Sequence, residues 1–80
     1  MSDCQFYAEC IFYNQGEYRF SVDVYYGNKR VALADAYIDI FYGNNIIKIF
    51  NYNGKIPSFS DKELKKEISD YCHGQIARIR

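Results

Sequence analysis

The stretch EYRFSVDVYY at residues 17–26 decides how this sequence folds. Its even-numbered positions are Tyr18, Phe20, Val22, Val24 and Tyr26, and its odd-numbered positions are Glu17, Arg19, Ser21, Asp23 and Tyr25. Successive side chains of a β-strand point to opposite faces, so this alternation is typical of a strand with one buried face. The stretch therefore predicts a half-buried strand in an antiparallel sheet.

Turn signals lie on both sides of this strand and divide the first two-thirds of the chain into similar pieces. They are Asn14-Gln15-Gly16, Gly27-Asn28-Lys29, Gly43-Asn44-Asn45 and Asn53-Gly54-Lys55. Clusters of glycine and asparagine at such intervals are typical of a β-meander, in which each strand pairs with the next. The first piece repeats the alternation, with Phe6, Ala8, Cys10 and Phe12 on one side and Tyr7, Glu9, Ile11 and Tyr13 on the other.

The third and fourth pieces alternate less regularly. Residues 30–42 are long for one strand, and Val31 and Leu33 fall on the side opposite the alanines of this piece. We expect either a β-bulge near Ala34 and Asp35 or a helical turn in the alanine-rich part. The fourth piece, residues 46–52, is a strand by its isoleucine and aromatic content, with an ambiguous phase.

A helix is predicted after Pro57, which ends the extended part of the chain. Ser60 and Glu63 have the spacing of a capping box, with Ser60 as the N-cap. Phe59 and Leu64 have the spacing of a hydrophobic staple around the same helix start. Apolar positions then follow at helical spacing, at Leu64, Ile68, Tyr71 or Cys72, Gln75 or Ile76, and Ile79.

The predicted fold class is α+β, with the element order ββββα. Residues 1–80 form one small domain, a four-stranded antiparallel β-meander with one C-terminal α-helix packed on one face. The helix either passes Gly74, at a cost of about 1 kcal/mol, or ends there. Since one helix covers one face of the sheet, the other face is left to solvent or to a partner.

The uncovered face is predicted to be rich in tyrosine and in acids. The alternation places on it Tyr7, Glu9, Ile11, Tyr13, Glu17, Arg19, Ser21, Asp23, Tyr25, Asp35, Tyr37, Asp39 and Phe41. Tyrosine suits interfaces because its ring buries apolar area while its hydroxyl keeps a hydrogen-bond partner. Five carboxylates against one cation in this set favour a basic partner. The expected partner-binding residues are Tyr7, Glu9, Tyr13, Asp23, Tyr25, Asp35, Tyr37 and Asp39, although a merely solvated face would carry the same residue types.

Charge balances over the whole chain but differs between its halves. Residues 1–40 hold six acids and three bases, and residues 41–80 hold four acids and seven bases. A net charge of zero argues against a generic nucleic-acid binder. The alternative function is nevertheless a small nucleic-acid-binding or architectural module, which needs a fold that gathers the basic residues. These are Lys29, Arg30, Lys48, Lys55, Arg78 and Arg80.

Catalytic, metal and cofactor motifs are absent from the sequence. His73 is the one histidine, and on a helix its neighbour Cys72 points about 100° away, so the two do not form a nucleophile and base. Cys4 and Cys10 have a spacing that is foreign to zinc sites, and no glycine-rich phosphate loop is present. We therefore expect a protein that is not an enzyme and holds no metal or cofactor.

The remaining sequence features concern the compartment. An odd number of cysteines is a poor disulfide framework, and reduced thiols are expected. The sequence shows no secretory signal, lipidation motif or long apolar stretch. We expect a cytoplasmic protein, in a cell or in an infected host cell, without a membrane partner.

In size and in its lack of motifs the chain resembles phage-encoded antagonists of host defence, anti-CRISPR proteins among them, and small immunity proteins. This resemblance is one of size and composition. It implies a small inhibitor that occludes a basic surface of a larger host protein or complex, including one that handles nucleic acid. Carboxylates and tyrosines would then take the place of phosphates and bases. A homodimer, formed by pairing of outer strands or of two tyrosine-rich faces, would use the same residues.

Overall fold

The structure, a computed structural model, describes residues 4–50 and 61–79. In these ranges the strands are β1 (Cys4–Asn14), β2 (Glu17–Tyr26), β3 (Lys29–Asp39) and β4 (Asn44–Phe50), and the helix is α1 (Asp61–Ile79). The strands form one antiparallel sheet in the order β1-β2-β3-β4, and α1 packs on one face of it. The predicted α+β fold, a β-meander with one C-terminal helix, is confirmed.

The core lies between β2, β3 and α1. The even-numbered side chains of β2 from Tyr18 to Val24 are at most 3% exposed, which is the face that the alternation assigned to the core. The helix contributes Leu64, Ile68, Cys72 and Ile76. Short side chains lie opposite them on β3, at Ala32, Ala34 and Ala36, and leave room for the larger side chains of the helix. Removal of this apolar surface from water is the main driving force of the fold.

The helix passes Gly74 and continues to Ile79. Ile76, two residues beyond the glycine, is 3% exposed, so packing of the last turns offsets the cost of an internal glycine. Within the described ranges, no helix combines the length and the hydrophobicity that a membrane crossing requires. The predicted helix start at Pro57, Phe59 and Ser60 lies outside the described residues.

An irregularity in β1 changes which side chains point outward near its end. The pairing of β1 with β2 shifts between Cys10 and Phe12. Phe12 stands opposite the exposed Arg19, whereas Tyr13 stands opposite the buried Tyr18 on the helix side. Unbroken alternation predicted the reverse faces for Phe12 and Tyr13. That prediction was wrong because a bulge adds one residue and inverts the phase of everything after it.

The bulge predicted for β3 is present at a different position. The pairing of β3 with β2 shifts at Val31, the extra residue after Arg30. Val31 is 6% exposed and belongs to the core, which removes the mismatch for Val31, whereas Leu33 stays on the face opposite the helix. The predicted position was wrong, because Ala34 and Asp35 pair regularly with β2. The alternative helical turn is also wrong, since Lys29–Asp39 is one strand.

The turn between β1 and β2 has two residues, Gln15 and Gly16, with φ of 45° and 86°. Two consecutive left-handed residues are the pattern of a type I′ turn, whose twist matches that of the two strands. Gly16 is required for a second reason, because a Cβ there would lie 2.5 Å from Cδ2 of Phe41. Gln15 carries a side chain in a backbone region that such residues rarely adopt.

We expect Gln15→Asn to stabilise the protein. Asparagine adopts the left-handed conformation at a lower cost than glutamine, and Asn-Gly is the preferred pair of this turn type. The free energy of unfolding should rise by about 0.5–1 kcal/mol, as measured by urea denaturation followed by circular dichroism. Gly16→Ala, the matched control, should lower it. An unchanged or lower midpoint for Gln15→Asn would contradict this assignment of the turn.

Candidate functional site

The sheet face opposite α1, named the open face, carries side chains from all four strands. Its cross-strand rows are Gln5 with Tyr25 and Arg30; Tyr7 with Asp23, Leu33 and Phe50; Glu9 with Ser21, Asp35 and Lys48; Phe12 with Arg19, Tyr37 and Ile46; and Asn14 with Glu17, Asp39 and Asn44. Every predicted partner-binding residue except Tyr13 lies in these rows. Tyr13 is on the opposite side, where its ring centroid is 5.1 Å from that of Tyr18.

Large apolar side chains of the open face are accessible to solvent. The exposed fractions are 58% for Tyr7, 60% for Ile11, 48% for Phe12, 53% for Ile46 and 40% for Phe50. The sequence analysis did not place Phe12 on this face because of the bulge. It did not place Ile46 and Phe50 there because the sequence did not decide which side chains of β4 share a face. The signal that finds the last two is pairing with β3, where Ile46 stands opposite Tyr37.

The charge of the open face is closer to balance than the sequence predicted. The bulge at Val31 brings Arg30 to this face, and the phase of β4 brings Lys48. Arg30 Nη1 lies 3.6 Å from Asp23 Oδ1, in an exposed ion pair of the kind that contributes little. The accessible carboxylates of the open face are those of Glu9, Glu17, Asp23 and Asp35. The cations on the same face are those of Arg19, Arg30 and Lys48.

Asp39 holds the β3–β4 turn instead of presenting its carboxylate to solvent. The residue is 7% exposed, and its Oδ1 accepts hydrogen bonds from the backbone N–H groups of Phe41 at 3.0 Å and Tyr42 at 3.2 Å. Its carbonyl oxygen accepts a third from the N–H of Gly43, at 2.8 Å. Asp39, which was predicted to contact a partner, therefore exposes almost no surface to one.

We expect Asp39→Ala to lower the free energy of unfolding by about 1–3 kcal/mol, because it leaves turn amides without their acceptor. Asp39→Asn keeps one carbonyl oxygen at the same place and should lose less. Thermal unfolding of both variants checks this order. Equal losses would show that the hydrogen bonds to the Asp39 side chain do not stabilise the turn.

Tyr37 is held in place by a hydrogen bond across the strand pair. Its hydroxyl donates to Oε1 of Glu17 at 2.5 Å. The pKa of Tyr37 is raised above its ordinary value, first by this hydrogen bond and then by burial and the negative charges of Glu17 and Asp39. Loss of the phenol proton would break the bond and place a second negative charge beside a carboxylate. The ring is therefore a fixed, neutral part of the open face.

This hydrogen bond predicts a specific loss of stability in alkali. The unfolded chain releases the Tyr37 proton at about pH 10, whereas the folded protein retains it to higher pH. The stabilisation is complete below pH 10 and is lost as pH rises towards the folded pKa. We expect urea midpoints between about pH 9 and 11 to fall more steeply for wild type than for Tyr37→Phe, which keeps all other tyrosines. Parallel curves would contradict the hydrogen bond.

A depression of about 400 Å³ lies within the open face and is lined by residues of all four strands. The residues that line it are Ile11, Arg19, Phe20, Asp35, Ala36, Tyr37, Ile46 and Lys48. Phe20 and Ala36 belong to the core on the other side of the sheet, so their backbone forms the floor. The remaining side chains form apolar walls around two cations and one carboxylate.

The basic residues of the alternative function do not form one surface among the described residues. Arg30 and Lys48 lie on the open face, Lys29 lies on the helix side of β3, and Arg78 lies in the last turn of α1. Lys55 and Arg80 lie outside the described residues. Arg30 is already paired with Asp23.

Cys72 and His73 are neighbours in sequence, but Cys72 is buried and His73 is exposed. Burial raises the pKa of the Cys72 thiol to about 12, which keeps it neutral and weakly nucleophilic. His73 is exposed, with Nε2 at 3.2 Å from Oδ1 of Asn45. Among residues 4–50 and 61–79, no three side chains of the Cys, His, Asp or Glu type come together in a way that suits a metal ion.

Comparison of the chain with protein-family models, with curated proteins and with solved structures gave no match. The chemistry of the open face is therefore the basis on which a function can be argued. Its distinguishing features are exposed aromatic and aliphatic side chains, a fixed tyrosine, and charges of both signs.

Proposed function

We propose that this protein is a non-enzymatic protein-binding module that works through its open face as a small inhibitor. The observation that supports this most is the exposure of Tyr7, Ile11, Phe12, Ile46 and Phe50, each at 40–60%. Aromatic residues and arginine, surrounded by polar groups, are the composition of energetically important interface centres. Their burial by a partner would remove a large apolar area from water.

The open face is a rigid platform, which lowers the entropic cost of binding. Its side chains stand on paired strands and several are held by one another. The rings of Tyr7 and Tyr25 meet edge to face at a centroid distance of 5.3 Å, and Tyr37 is fixed by Glu17. A partner would thus meet an arrangement that is already in its binding conformation.

The size of the face suits inhibition by occlusion. Four strands spaced by about 4.8 Å set the width of the face, and about eight residues along each strand, at about 3.3 Å per residue, set its length. The product of width and length is roughly 500 Å² of flat area. This is the size of a small interface, since each partner buries roughly 600–1,000 Å² in a standard protein interface. In this mode no residue of the inhibitor performs chemistry, and the covered surface of the larger host protein is simply made inaccessible.

The distribution of charge on the open face indicates which side of it a basic surface of the partner would contact. Glu9 is exposed on β1 and lies at one end of the row that ends with Lys48 on β4. The accessible carboxylates of Glu17 and Asp23 lie on the neighbouring strand β2. A basic surface of the partner fits the β1–β2 side, where its cations would meet these carboxylates.

The chain offers a matched pair of variants for testing which face binds. Tyr7 and Tyr13 are of the same type, lie on the same strand, are 58% and 63% exposed, and each contacts one other tyrosine ring. They point to opposite faces. We expect Tyr7→Ala to weaken binding of a captured partner by about tenfold or more, and Tyr13→Ala to leave it unchanged.

The partner is captured with the tagged wild-type protein from nuclease-treated lysate of the source host and is then purified. Its affinity for wild type, for Tyr7→Ala and for Tyr13→Ala is measured by calorimetry. Loss with Tyr7→Ala alone supports the proposal. Equal retention by both variants, or weakening by Tyr13→Ala alone, contradicts the open face as the binding surface. Capture that succeeds from untreated lysate but fails from nuclease-treated lysate favours the nucleic-acid-binding alternative.

A further inference from the structure

An arginine, Arg19, lines the depression of the open face. Arg19 stands between Phe12 on β1 and Tyr37 on β3, in the row that ends with Ile46. Ile11 and Ile46, which line the depression, are 60% and 53% exposed. The arrangement therefore surrounds a guanidinium with apolar and aromatic walls, and leaves it open to the solvent side.

The cations that line this depression are not neutralised by ion pairs. Among the described residues, neither the guanidinium of Arg19 nor the ammonium of Lys48 has a carboxylate within ion-pair distance. Asp35 is the lining carboxylate, and it stands opposite Lys48 in the strand register. Glu17, the next acid along β2, already accepts the hydrogen bond from Tyr37.

We infer that this depression is a socket for an acidic side chain of the bound protein, with an apolar residue next to that acid. The inference rests on the proposed function and deepens it. The lining residues Arg19 and Lys48 outnumber the lining carboxylate of Asp35, and a carboxylate is the group that matches a guanidinium fork. The apolar walls of Ile11 and Ile46 supply contact for a neighbouring aliphatic side chain.

The socket works once a bound partner segment covers it and keeps water away from the guanidinium of Arg19. A carboxylate that enters it exchanges hydration for bonds from Arg19 in surroundings less polar than bulk water, where such bonds are stronger. The Tyr37 ring cannot move aside easily, since its hydroxyl is bound to Glu17. The partner segment recognised by the open face is therefore mixed in charge, with an acid for the socket and bases for the carboxylates of β1 and β2.

Nuclear magnetic resonance of the intact protein tests the socket without the natural partner. The probe is the blocked peptide acetyl-Leu-Glu-Leu-amide, and its neutral counterpart is acetyl-Leu-Gln-Leu-amide. We expect the acidic peptide to shift the Nε–H signal of Arg19 and the amide signals of Tyr37 and Ile46 in a saturable way. Because the glutamine of the neutral peptide offers Arg19 a neutral carbonyl in place of a carboxylate, this peptide should bind at least about tenfold more weakly.

Two variants make the test specific. Arg19→Gln should abolish the saturable shifts, whereas Lys62→Gln, which removes an exposed cation of α1, should leave them unchanged. Equal binding of both peptides, or equal loss with both variants, would overturn the socket. Tighter saturable binding of a short oligothymidylate at the same signals would also overturn it, in favour of a phosphate ligand.

The outcomes separate this inference from the proposed function. If the acidic peptide fails to bind while Tyr7→Ala still releases a protein partner, the socket is wrong and the binding face stands. If the peptide binds in an Arg19-dependent way but Tyr7→Ala has no effect on partner binding, the socket stands as an acidic-ligand site and the wider interface is wrong.

Discussion

Burial of one side of β2 beneath α1 is the interaction on which the rest of the structure depends. Leu64, Ile68 and Cys72 on the helix meet the even-numbered side chains of β2 and the alanines of β3. Because the described part of the chain contains one helix, this contact covers one face of the sheet and leaves the other face uncovered. The open face thus follows from how the core is built.

The charges and rings of the open face are arranged by the register between strands. One extra residue at Val31 turns Arg30 outward to meet Asp23, and one at the end of β1 turns Phe12 outward beside Arg19. The bulge at Val31 places an apolar side chain in the core and at the same time alters the surface. The composition of the face is therefore partly a consequence of packing on the opposite side of the sheet.

Local patterns predicted the elements well and their phases less well. The alternation of β2 predicted its buried side because that strand pairs regularly along most of its length. Phe12 and Tyr13 were assigned to the wrong faces because a bulge depends on how two strands pair, which no single stretch of sequence contains. Asp39 was assigned to the exposed face by the alternation of its strand, whereas the backbone amides of Phe41 and Tyr42 hold its carboxylate in the turn. The face of Ile46 needed the register with Tyr37.

The bulge near the end of β1 makes that segment a place where insertions and deletions can change the surface without disturbing the interior. Deleting Ile11, the extra residue between Cys10 and Phe12, would restore simple alternation and leave Phe12 opposite Arg19 and Tyr13 opposite Tyr18, so that the open face would lose only the Ile11 side chain. The preceding part of β1 and the whole of β2 would keep their pairing. Loss of this single codon would thus change the open face while the core keeps its pairing.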